Sequence, residues 1–131
     1  LVYGVYEKAM EYYYRVIRNE KAHGLKGFLS LAYNNIAMLY MHFEARDKVR
    51  VYLELAIAGL KEGGEDQPRY VPKLLIYMSN LLIHLVFMKR KERATELMEE
   101  MNSLDLSQVS MEAFYTFYRG CMSYHIMLGD F

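Results

Sequence analysis

Internal repetition constrains this chain more than any other feature. Gly4, Glu44, Lys89 and Gly129 stand 40, 45 and 40 residues apart and begin similar segments. These are Gly4-Val5-Tyr6-Glu7-Lys8-Ala9, Glu44-Ala45-Arg46-Asp47-Lys48-Val49 and Lys89-Arg90-Lys91-Glu92-Arg93-Ala94, with Gly129-Asp130-Phe131 starting a fourth. A period of roughly 40 residues is too short for a domain, and it suits a supersecondary unit that buries one face on its neighbour.

Within the units, apolar residues recur at spacings of three and four. Tyr6, Ala9, Met10, Tyr13, Val16 and Ile17 form one such series, and Val49, Leu53, Ala56, Ile57 and Leu60 form another. This is the period of an amphipathic helix. Breakers fall at Gly24 and Gly27, at the corners Glu44 to Asp47 and Lys89 to Lys91, and at Asn102 to Ser107. Both prolines, Pro68 and Pro72, share the segment Lys61 to Pro72 with Gly63-Gly64, which marks a linker. The pattern predicts helices over 5–23, 28–43, 46–61, 71–88, 91–102 and 109–128, with no strand between them. Pro72 suits a first helical turn, where its missing N–H costs nothing, and Asp105 or Ser110 is placed to cap the last helix. The expected fold is all-α, built of antiparallel helical hairpins.

Composition then removes several classes of function. Hydrophobic residues make up 53% of the 131 and charged residues 24%, enough apolar surface for one folded domain. Sixteen Lys and Arg balance sixteen Asp and Glu, so the basic excess that a nucleic acid or an anionic membrane surface demands is lacking. The single Cys121 forms neither an internal disulfide nor a cysteine zinc site, which points to a reducing, cytoplasmic setting. The most apolar run, Leu74 to Met88, falls short of a bilayer span by its own length and reads as a buried helix. There is no signal-peptide pattern. Both ends cut through a repeat, so the sequence reads as a fragment of a longer protein, with flanking repeats expected.

These residues resemble tetratricopeptide repeats. Leu31-Ala32-Tyr33-Asn34-Asn35-Ile36-Ala37-Met38-Leu39-Tyr40 looks like that family's first helix, and Val49, Leu53 and Ala56 stand where its second helix has small, aromatic and small residues. The next unit matches through Asn80, Leu81, Leu82, Leu85, Ala94 and Met98, and the first fragment through Gly4, Tyr6, Ala9 and Tyr13. The period exceeds the family's usual length of about 34 residues. The helix-ending proline is missing, and Leu82 and Met122 occupy small-residue positions. In these respects the units look more like the longer, divergent repeats of bacterial signalling and regulatory proteins. The resemblance implies a TPR-like alpha-alpha superhelix, a right-handed solenoid forming a single domain over 1–131. Its parts would be the end of one repeat (1–24), two repeats (28–62 and 71–104) and the start of a fourth (109–131).

Catalytic and metal chemistry find little footing. No nucleophile elbow occurs, and His23, His42, His84 and His125 are scattered over different predicted helices without zinc-ligand spacing. Gly24-Leu25-Lys26-Gly27 reads as an inter-helix turn rather than a nucleic-acid loop, and Glu96, Glu99 and Glu100 as a solvated helix face. Cys121, between Gly120 and Met122 on a predicted apolar helix, reads as a buried, unreactive thiol. The chain is therefore expected to be no enzyme and to carry no cofactor or metal.

Binding is where the sequence points. Asn35 and Asn80 hold the same place in two successive units, and in the family resembled here that place faces the concave groove. An Asn side chain offers one acceptor and two donors, matching an extended peptide unit. Helical spacing extends the face to Leu31, Asn34, Met38 and His42 in one unit and to Ile76, Ser79, Ile83 and Phe87 in the next. In the third, Thr116, Arg119 and Ser123 follow, with Arg119 able to meet a ligand carboxylate. The partner expected is a peptide or protein segment, bound by the sensory or scaffolding part of a larger regulator. The alternative is self-assembly, a homodimer formed through the Met- and Tyr-rich faces without a separate ligand.

Overall fold

The apolar period of three and four is realised as six helices among the described residues. In the computed structural model these are residues 2–107 and 109–129, without the side chains of Val2 and Tyr3. The helices are α1 (Val2–Ala22), α2 (Leu29–His42), α3 (Arg46–Glu62), α4 (Tyr70–Phe87), α5 (Lys91–Asn102) and α6 (Met111–Leu128). No strand occurs among the described residues, and the class is all-α. Most boundaries lie within one or two residues of those expected. The exceptions begin early: α1 already runs from Val2, which places Gly4 inside the helix rather than at its opening, unlike Glu44 and Lys89. The expected fourth start at Gly129 continues into Asp130 and Phe131, which lie outside the described residues.

Contacts divide the chain into two compact units, Leu1–Gly63 and Gly64–Phe131, and the division falls in the predicted linker. In the first unit α2 packs against α1 on one side and α3 on the other. Its neighbours therefore cover most of its circumference, and Ala32, Tyr33, Asn34, Ile36, Ala37 and Leu39 are buried. The partner helix α3 contributes Val49, Leu53, Ala56, Ile57 and Leu60. In the second unit α4 takes the same central role between α5 and α6. Fully burying a large apolar side chain contributes about 1.5 to 3 kcal/mol, and Leu75, Met78, Leu81, Leu82 and Leu85 all reach that limit on α4.

The two hairpins repeat residue by residue at a spacing of 45. Val49 and Ala94, Leu53 and Met98, Ala56 and Met101, Ile36 and Leu81, and Ala37 and Leu82 are buried pairs in matching places. The corners match as well. Glu44 and Lys89 both have φ of 58°, in the left-handed region. Three residues after each helix end the same bond closes the turn, from Ala45 N–H to Tyr40 O at 3.0 Å and from Arg90 N–H to Leu85 O at 2.9 Å. This is the Schellman closure, which satisfies carbonyls a helix end leaves open. Gly24, with φ of 64°, ends α1 in the same way through Leu25 N–H to Glu20 O at 2.8 Å.

Side chains fix the remaining ends. Glu20 is buried, and its Oε1 accepts from the Phe28 N–H at 3.0 Å, so a residue of α1 holds the start of α2. Of the two cap candidates for α6, Ser110 does the capping: its Oγ accepts from the Ala113 N–H at 3.2 Å. Asp105 instead closes a short turn by accepting from the Ser107 N–H at 3.0 Å. That bond stabilises the carboxylate and holds Asp105 below the usual carboxyl range. In the second unit Gly120 lets α6 close on α4, since a Cβ there would lie 3.1 Å from Leu82 Cδ2. Thr95 and Tyr124 hydroxyls, 2.8 Å apart, join α5 to α6.

One correction concerns the apolar run of α4. The helix extends back to Tyr70 and reaches 18 residues, long and apolar enough to cross a membrane by length and composition. Half of that stretch is buried within the protein, against α5 and α6.

Candidate functional site

The candidate groove residues divide by depth, and the division is the same in both hairpins. On α2 the half-buried Asn35 and Met38 and the exposed His42 share one stripe with exposed Leu31. On α4 the corresponding stripe is Ile76, Asn80 and Ile83, half-buried, and Phe87, exposed. Asn34 and Ser79, one residue earlier in each case, are buried and do not belong to an open face. The reason is geometric: a helix packed on two sides buries more than half its circumference, and a step of one residue turns the side chain by roughly 100°. The Asn35 side chain makes no hydrogen bond to any described residue, whereas Asn34 and Asn80 are both engaged within the protein. The two equivalent asparagines therefore differ in what they can offer a ligand.

In the first unit the α2 stripe runs beside α1. Tyr12, Tyr13 and Val16 of α1 meet Phe28, Leu31 and Ala32 around a trough of about 220 Å³, almost wholly apolar in its lining. At the other end of the stripe the Tyr6 ring stacks on His42, with centroids 4.6 Å apart, and meets Phe43 edge-on. Asn35 and Met38 lie between these two ends along the helix. Apolar recesses flanking an unbonded amide suit an extended segment, whose side chains need pockets and whose backbone needs a donor and an acceptor. Neither the trough nor the Tyr6–His42 stack was legible in the sequence, because each depends on how α1 lies against α2.

In the second unit Arg119 is exposed and Ser123 half-buried, both on one flank of α6. Gly120, between them, is turned towards Ser79 and Leu82 of α4. A second depression, of about 470 Å³, lies beside the linker between Glu65, Arg69, Tyr70, Pro72 and Asp105. Its walls carry both charge signs and no recess of one character.

Reactive groups are few. Cys121 is half-buried rather than buried as expected, because α6 buries only a narrow face, and that partial burial still pushes its thiol up, away from the reactive thiolate. His84 is buried and engaged, while His125 is exposed and meets the Tyr124 ring edge-on. Among the described residues no three His, Cys, Asp or Glu side chains come together in a way that would hold a metal ion.

What the sequence did not single out is a tyrosine cluster that ties the first unit together. The Tyr14 hydroxyl on α1 lies 2.8 Å from that of Tyr40 on α2 and 2.9 Å from that of Tyr52 on α3. Tyr40 and Tyr52 stack at 5.4 Å, and Lys48 Nζ sits over the Tyr40 ring at 5.2 Å. The only signal for it was an excess of tyrosine, 13 in the chain.

Compared with protein-family models, curated proteins and solved structures, the chain has no significant match among any of the three.

Proposed function

We propose that this chain is a non-enzymatic repeat module that binds an extended peptide or protein segment, in a TPR-like stack of hairpins belonging to a larger regulatory protein. The hairpin repeat at 45 residues, with equal burial at equivalent positions, supports the repeat reading. The observation that carries the binding reading is the α1–α2 seam of the first unit. There an unbonded Asn35 lies on a stripe with Leu31, Met38 and His42, next to the apolar trough of Tyr12, Tyr13, Val16 and Phe28. Apolar side chains of the bound segment enter the trough, and Asn35 grips its backbone. Asn80, already engaged within the protein, acts as scaffold at the equivalent position.

Peptides selected from a library against the whole chain test this. Asn35→Ala weakens binding by about 0.5 to 1.5 kcal/mol, the net worth of one hydrogen bond, and leaves the melting temperature unchanged. Leu31→Lys, at an exposed position, removes binding while the fold stays intact. Asn80→Ala lowers the melting temperature. Selected peptides that bind Asn35→Ala and Leu31→Lys as tightly as the parent overturn the reading.

A further inference from the structure

The outer face of α3 breaks a rule that its counterparts keep. Its exposed line runs Lys48, Val51, Leu55, Ala58 and Glu62, at spacings of three and four. Val51 and Leu55, in the middle, are 55% and 40% exposed. Spacings of 40 and 45 carry Val51, Leu55 and Ala58 onto Glu11, Arg15 and Arg18 of α1 and onto Glu96, Glu100 and Ser103 of α5. Glu100 is half-buried and the other five counterparts are exposed. Ion pairs lace those two faces, Arg15 with Glu11 at 3.7 Å and Arg93 with Glu96 at 3.8 Å. The register thus faces water in every copy, and the opening on α3 belongs to the repeat itself. An outward helix face is ordinarily polar. On α3 it is apolar, although Val49, Leu53, Ala56, Ile57 and Leu60 already supply the core.

Size and charge select the occupant, because the line is its own complement about Leu55. A two-fold axis through Leu55, perpendicular to the helix, lays α3 antiparallel on a second α3 and sets each residue against the one equally far beyond the axis. Lys48 then meets Glu62, each seven residues from Leu55. Val51 meets Gly59, Tyr52 meets Ala58, and Leu55 meets its own copy. Each lateral pair joins a large residue to a small one, which lets the two backbones approach, and the end pairs join opposite charges. Within one helix Lys48 and Glu62 stand about 21 Å apart, too far to pair with each other. Parallel pairing would set Lys48 on Lys48 and Glu62 on Glu62, like charge on like. Both side chains are free to turn. Lys48 Nζ rests over the Tyr40 ring at 5.2 Å, and Glu62 meets Lys26 at 3.9 Å in an exposed pair of the kind that contributes little.

We infer that α3 is a homodimer contact, in which two copies cross antiparallel at Leu55 and Lys48 of each pairs with Glu62 of the other. So short a face falls below the roughly 20 to 30 residues per partner of a standard interface, and the contact is of the weak, transient class. The inference is independent of the peptide reading, whose residues lie on α1 and α2.

Sedimentation equilibrium of the whole chain from micromolar to millimolar concentration tests it, with circular dichroism as a check on folding. The parent dimerises in the upper part of that range. Lys48→Glu and Glu62→Lys each raise the dissociation constant by about fivefold, because two attractive pairs turn repulsive. The double variant carrying both changes returns it to within about threefold of the parent. Leu55→Glu, which sets two carboxylates on the axis, gives a folded monomer, while Met122→Glu on the exposed side of α6 leaves the dimer as it was. A parent that stays monomeric throughout overturns the inference. So does a dimer that Met122→Glu abolishes, that either charge change leaves unaltered or that the double variant fails to restore. If Leu55→Glu loses its helical signal, the charge set decides.

Discussion

At the scale of single residues, the tyrosine cluster shows how polar groups can hold helices together without charge. Tyr14 reaches from α1 to hydroxyls on α2 and α3, so one oxygen links all three helices of its unit. Burial first, and then the two hydroxyl bonds, raise the Tyr14 pKa well above the ordinary tyrosine value. The folded state therefore holds that proton more tightly than the unfolded chain. The associated stability is fully present below the unfolded tyrosine pKa of about 10 and is lost as pH rises above it. Tyr14→Phe removes both bonds and should cost about 1 to 2 kcal/mol at neutral pH, read as a lower melting temperature. Between pH 9 and 11 the melting temperature of the variant should fall less steeply than that of the parent. Parallel slopes would show that Tyr14 does not carry the alkaline sensitivity.

At the scale of elements, the corners are where the chain accepts local strain. Glu44 and Lys89 adopt left-handed backbone angles that cost a residue with a Cβ about 1 kcal/mol or more, and both are exposed. Glycine stands at the equivalent α1 end, at Gly24. Glu44→Gly and Lys89→Gly should therefore each stabilise the fold, by about 0.5 to 1 kcal/mol after the larger freedom of glycine in the unfolded chain is subtracted. Denaturant melts check this, and a loss of stability would show that the charged side chains at these corners contribute more than their strain. Gly59 and Gly120 sit differently, inside helices. A Cβ at Gly59 would make ordinary contact with Ser30 at 3.8 Å, whereas one at Gly120 would press on the fully buried Leu82. The second glycine is thus part of the α4–α6 contact and the first is not.

At the scale of the whole molecule, two helical units are joined by a segment rich in glycine, proline and charge. Lys61, Glu62, Gly63, Glu65, Asp66, Pro68 and Arg69 are exposed there, which is where proteases cut folded chains. Limited trypsin digestion should cleave first at Lys61 or Arg69 and leave two fragments corresponding to the units. First cleavage at the α2–α3 or α4–α5 corner would show instead that the hairpins open more readily than the linker.

The sequence alone determined the helices, the corners and the 45-residue spacing. These follow from local causes: apolar period, glycine and proline placement, and a serine at the start of α6 that can reach the backbone three residues on. It also placed the two asparagines at equivalent positions. Only the tertiary structure decided which residues of each stripe stay open, because burial depends on how many neighbours a helix has. Asn34 and Ser79 pass a periodicity test as readily as Asn35 and Asn80, yet helices on two sides bury them. The outer face of α3 is the converse case. Val51 and Leu55 are as apolar as a core, and nothing in their spacing tells a face that has found its partner from one that has not. That difference belongs to packing, which sets how much apolar surface water still touches.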